Sequence, residues 1–121
     1  MKFCWATIAV NNLDESVNFY TEIVGLKIER RFNAGDNTEI AFLSCGNETK
    51  IELICNKNAK TAYTENKVTL GFETESLEKI TEHLKNKGIQ SSEPFQPNPH
   101  IKFIYITDPN GVKIQFAENI A

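Results

Sequence analysis

KIELIC at residues 50–55 and VKIQFAE at residues 112–118 are two versions of one segment, and their correspondence decides the fold. Ile51-Glu52-Leu53 in the first stands where Ile114-Gln115-Phe116 stands in the second. In both, apolar residues flank a polar centre, the alternation of a half-buried strand. Upstream of the first copy, FCWATIAV (3–10) reads as a strand and NNLDESVNFYTEIVGL (11–26) as a helix. Leu13, Val17, Tyr20 and Val24 fall on one helical face, Asn12 with Glu15 three residues on resembles a capping box, and Gly25 suits the C-terminal stop. LKIERRF (26–32), TEIAFLS (38–44) and KIELIC follow as strands.

The second pass keeps the same order. KVTLGFET (67–74) is a strand, and SLEKITEHLKNKG (76–88) a helix with Leu77, Ile80 and Leu84 on one face and Gly88 ending it. Strand signals come at GIQSS (88–92), IKFIYIT (101–107) and VKIQFAE, the last two joined by Asp108-Pro109-Asn110-Gly111. Leu13 corresponds to Leu77, and the shared order argues for duplication. The expected fold is α+β: two tandem βαβββ modules forming one curved mixed sheet, a half-open barrel with helices on the outer face. Residues 1–56 make module one, 57–66 a polar linker and 67–121 module two, all within a single domain. The concave inner face is the expected ligand site.

A chain of 121 residues buries roughly two thirds of its unfolded surface on folding, and 40% apolar with 24% charged residues is ordinary globular composition. No apolar run reaches the ~18 residues of a membrane helix. The start MKFCWATIAV is too interrupted for a signal peptide, so a cytoplasmic protein is expected. Cys4, Cys45 and Cys55 form no CxxC pair and read as small buried hydrophobes. A net charge of −3 with scattered lysines argues against nucleic acid and mildly favours a neutral or cationic ligand.

Asn12-Leu13-Asp14-Glu15-Ser16-Val17-Asn18-Phe19-Tyr20 followed by Val24-Gly25-Leu26 resembles the first helix of the vicinal oxygen chelate superfamily. This group contains glyoxalase I, fosfomycin and bleomycin resistance proteins and extradiol dioxygenases. Asp108-Pro109-Asn110-Gly111-Val112-Lys113-Ile114-Gln115-Phe116 is similar to its closing hairpin. The resemblance covers essentially the whole chain and implies the fold but no particular reaction. In metal-dependent members, His or Glu ligands come from the first and last strand of each module. Those positions hold Trp5, Glu52, Thr69 and Gln115 here. An indole is an N–H donor only, and one carboxylate with an amide and a hydroxyl holds a divalent ion poorly. No metal and no cofactor is therefore expected.

Strand alternation puts Phe3, Trp5, Thr7 and Ala9 on the cavity face and Cys4, Ala6, Ile8 and Val10 towards the helices. Lys50 and Ile54 accompany Glu52. A type I turn with a Gly111 bulge would put Phe103, Tyr105 and Thr107 on the face of Gln115, whereas a tighter turn would reverse them. Trp5, Phe42, Phe103 and Tyr105 are the expected ligand-binding walls, with Thr7, Glu52, Thr69 and Gln115 orienting the ligand. Glu52 is the candidate catalytic residue, a desolvated base; the plainer reading pairs it with Lys50 or Lys113. His83 is expected on the solvated side of its helix. His100 is a candidate for completing a metal site, and Gln96-Pro97-Asn98-Pro99 for a lid.

The expected function is binding of a small organic molecule in a metal-free pocket. The rivals are a metal-dependent glyoxalase-like lyase or isomerase and a cofactor-free enzyme using Glu52 as base. A homodimer is expected on the resemblance.

Overall fold

The computed structural model describes residues 4–44, 46, 49–58 and 68–119. The order is β1 (Trp5–Ala9), α1 (Leu13–Asn18), β2 (Lys27–Asn33), β3 (Thr38–Ser44), β4 (Lys50–Asn56), β5 (Thr69–Glu73), α2 (Leu77–Asn86), β6 (Phe95–Asn98), β7 (Ile101–Thr107) and β8 (Lys113–Asn119). This is βαβββ twice over, an α+β fold of two tandem modules. The chain divides into compact units Met1–Tyr63 and Thr64–Ala121, a break inside the expected linker. Most of that linker, like Phe3 and Cys45, lies outside the described residues.

Each module carries its own four-stranded mixed sheet, ordered β1-β4-β3-β2 and β5-β8-β7-β6. The first strand runs parallel to the last, and the other pairings are antiparallel. In each sheet one face is covered by that module's helix, α1 on β3 and β4 and α2 on β7 and β8. Leu13, Val17 and Tyr20 are buried with Leu43, Ile51 and Leu53 in module one, and Leu77 and Leu84 with Ile104, Ile114 and Phe116 in module two.

Local chemistry sets the helix ends. Asn12 Oδ1 accepts the Glu15 N–H at 3.0 Å, and Ser76 Oγ accepts the Lys79 N–H at 3.2 Å. Glu118 Oε1, on β8, accepts the Leu77 N–H at 2.7 Å, tying the start of α2 to its sheet. After Asn18 the first helix widens into a π-helical turn over Phe19–Ile23, where the Val24 N–H reaches Phe19 O at 3.3 Å. Thr21 Oγ1 donates to Val17 O at 2.8 Å beside that widening. Gly25 then turns the chain with φ +90, the left-handed region glycine occupies without steric cost.

Three expectations change. GIQSS is no strand; Ser92 alone makes ladder-like bonds, its N–H to Tyr105 O and its Oγ from the Tyr105 N–H, both 2.9 Å. The fourth strand of module two is β6, formed from the stretch expected as a lid: Phe95 pairs with Phe103 and Asn98 with Ile101, with a register shift between. An edge strand tolerates Pro97, because its missing N–H would point away from the sheet. Cys4 is exposed rather than packed under the helix, because it precedes the first residue of β1. Cys55 is buried as expected, its thiol donating to Asn11 O at 3.5 Å.

Candidate functional site

In module one the face away from α1 is built by register. Trp5 pairs with Lys50, Thr7 with Glu52 and Ala9 with Ile54. Phe42 lies across from Glu52 on β3, and Arg30 across from Phe42 on β2. One row therefore runs Thr7, Glu52, Phe42, Arg30 over four adjacent strands. The Thr7 hydroxyl donates to Glu52 Oε1 at 2.6 Å, a short charge-assisted bond. Glu52 is half-buried, and neither lysine expected as its partner takes it. Lys50 Nζ lies 3.0 Å from Glu29 Oε1, and Lys113 Nζ lies 4.2 Å from the centroid of Tyr105.

The aromatic part of this face is continuous. Trp5 is 50% exposed and meets Phe42 edge to face at 5.5 Å between centroids. Phe42 stacks with Phe32 at 6.4 Å and 15°. The Arg30 guanidinium carbon lies 4.8 Å from the Phe32 centroid and 5.2 Å from that of Phe42. A cation held over ring faces is attracted by their quadrupoles, worth about 0.5–1 kcal/mol at an exposed site. Phe32 and Arg30 share this face and were not named by the sequence reading. Their spacing by two on a strand was a signal, but their face depends on the register of β2.

In module two the hairpin adopts the wider turn. The Asp108 N–H bonds Val112 O at 2.8 Å, the Gly111 N–H bonds Asp108 O at 3.2 Å, and Gly111 has φ +89. Tyr105 is thereby brought opposite Gln115, whose Nε2 donates to Tyr105 Oη at 3.0 Å. Phe103 meets Tyr105 edge to face at 5.5 Å, and Phe95 extends the row at 5.2 Å from Phe103. Thr69, exposed, pairs with Lys113, while Gly71 lies directly beside Gln115. A Cβ at Gly71 would stand 3.3 Å from Gln115 Oε1, so this close approach is made by a glycine the sequence reading did not single out.

His83 is half-buried on α2, less solvated than expected. His100 is exposed in the turn between β6 and β7, its N–H bonded to Asn98 Oδ1 at 2.8 Å. Among the described residues no three His, Cys, Asp or Glu side chains gather as a metal-holding group. The four inherited ligand positions fit a cation poorly. Trp5 has no lone pair to give and packs on Phe42, Gln115 offers only a neutral amide oxygen, and Glu52 alone brings a carboxylate.

The family model of the Glyoxalase/Bleomycin resistance protein/Dioxygenase superfamily matches residues 2–116. The chain belongs to this superfamily. Among curated relatives it is similar to a lactoylglutathione lyase of Oryza sativa subsp. japonica, 30% identical over 96% of this chain and 44% of the rice protein. The chain thus spans under half the length of that relative. It is also similar to the lactoylglutathione lyase of Neisseria meningitidis, 26% identical over 98% of this chain and 91% of that protein. Among solved structures, the superfamily fold is shared with the trypanothione-dependent glyoxalase I of Leishmania major, at TM-score 0.82 and 22% identity over 98% of this chain and 86% of that one. It is shared equally with TnmS3, an antibiotic binding protein from Streptomyces, at TM-score 0.79 and 16% identity over 99% and 97%.

Proposed function

We propose that this superfamily member binds a small organic molecule without a metal ion. Trp5, Phe42, Phe103 and Tyr105 act as apolar walls, and Thr7, Glu52, Thr69 and Gln115 orient the ligand. The observation that carries the reading is Trp5. It stands where a metal-dependent member would place an imidazole, half-exposed and edge-on to Phe42 on the face that carries Glu52. A large ring in that setting suits stacking on a flat ligand and cannot serve as a ligand to a cation.

The second reading is a metal-dependent glyoxalase-like lyase or isomerase, favoured by the names of the curated relatives. A metal would there polarise adjacent substrate oxygens. The residues present do not fit that ion. A metal-free enzyme with Glu52 as base is compatible with the first reading. Thr7 fixes one oxygen of Glu52 and leaves the other for a substrate proton.

The deciding experiment joins two measurements. A thermal-shift screen across neutral, cationic and anionic aromatic compounds is expected to raise the melting temperature with some of them. Titration with nickel, zinc, iron or manganese, followed by Trp5 emission and by elemental analysis, is expected to give no stoichiometric binding. Tight one-to-one uptake of any of these ions overturns the metal-free reading. A cytoplasmic homodimer completes the proposal.

A further inference from the structure

We infer that the open face of module one recognises a flat ligand carrying an anionic group at one end and a hydrogen-bond donor at the other, with Arg30 binding the anion and Glu52 the donor. The inference rests on the metal-free binding reading and names the class of ligand. Its basis is the row Glu52, Phe42, Arg30 on three adjacent strands. Two strand spacings set the backbone positions of Glu52 and Arg30 roughly 10 Å apart. The buried Phe42 ring is the floor between those positions, with the Arg30 guanidinium over it and the half-exposed Trp5 edge-on beside it.

Each end is chemically poised. Among the described residues the Arg30 guanidinium meets only the ring faces of Phe32 and Phe42. Its five N–H donors lie in the guanidinium plane, and ring-face contact leaves them for a carboxylate. Its neighbour Arg31 is the contrast, with Asp14 at 2.6 Å and Glu39 at 3.6 Å. At the other end Glu52 is an acceptor with one oxygen engaged by Thr7. It takes a phenol, hydroxyl or amine proton and repels a second carboxylate, so the ligand's polarity along the row is fixed. The net charge of −3 does not oppose this, because charges more than a Debye length of about 8–10 Å away are screened while Arg30 acts at contact.

The test titrates the full chain with para-hydroxyphenylpropionate, whose carboxylate and phenol sit at opposite ends of one ring, following Trp5 emission. Its primary amide and the para-methoxy acid are titrated in parallel. The acid is expected to bind about tenfold more tightly than the amide, the range of a hydrogen bond to a charged group. Arg30→Gln should abolish that preference, and Arg30→Lys should restore part of it. Glu52→Gln should narrow the difference between the phenol and the methoxy compound without touching the acid-over-amide ratio. Equal affinity for acid and amide, or a preference that survives Arg30→Gln, overturns the inference. Silence from all three probes overturns it too, but leaves the metal-free binding reading standing as long as any neutral or cationic compound of the wider screen binds.

Discussion

Arg30 and Arg31 are neighbours in sequence and opposites in role. Arg31 turns to the helix side and pairs with Asp14 of α1 and with Glu39. The hydrogen bond Arg31 donates to Asp14 raises its pKa further, against a smaller lowering by burial. A raised folded-state pKa means its contribution is complete below the ordinary arginine range and lost only in strong alkali, so acid or neutral titration of Arg31 itself does nothing. As a part-exposed pair it is worth ~1 kcal/mol or less. Arg30 turns to the open face instead. Alternation alone could not say which of the two does so, because a register shift between Ile28 and Arg30 resets the count. Trp5 and Glu52, by contrast, were legible at this scale, since β1 and β4 run without a bulge. Truncating the half-exposed Trp5 to Ala should cost stability by no more than ~1 kcal/mol. It should weaken ligand binding about tenfold, as loss of an aromatic anchor does. Calorimetric titration, which does not need the lost fluorophore, reads both ligand affinity and whether the site has collapsed.

The closing hairpin shows what a short motif can specify. Asp108 is 3% exposed, and its Oδ1 accepts the N–H groups of Asn110 at 2.8 Å and Val112 at 2.7 Å. This Asx-type geometry selects the wider turn and so decides that Tyr105 faces Gln115. Asp108→Ala leaves two backbone donors without that oxygen, and a loss of about 2 kcal/mol or more is expected. Thermal unfolding should record it as a fall of roughly 4 °C for each kcal/mol, and Tyr105 should lose its registration with Gln115. A melting temperature within a degree of the parent would remove Asp108 from this role. β6 was misread for the opposite reason. Gln96-Pro97-Asn98-Pro99 carries no alternation and two prolines, so its pairing with β7 has no local signature. GIQSS had the more strand-like composition, yet β7 is paired at that edge by β6.

Two modules of one design have diverged in the chemistry of their open faces. Module one sets a carboxylate and hydroxyl beside a tryptophan, and module two sets an amide and phenol beside a phenylalanine. Gly71 stands in module two where Thr7 stands in module one, so the hydroxyl that fixes Glu52 has no counterpart next to Gln115. Ile28, Val68 and Phe95 are also exposed apolar side chains, which a second copy could cover. If the proposed homodimer holds, light scattering should give twice the 13.7 kDa of one chain; a monomer mass at micromolar concentration would defeat it.

The sequence by itself determined the duplicated order of elements, the Asn12 cap, the position of the turn at Asp108–Gly111 and the faces of β1 and β4. These follow from periodicity and from bonds between near neighbours, which the chain carries locally. The tertiary structure alone decided that Arg30 lies over Phe32 and Phe42, that Lys50 turns to Glu29, that Gly71 abuts Gln115 and that β6 closes the second sheet. Each of those depends on strand register, which a single bulge can shift and which only pairing between distant segments can set.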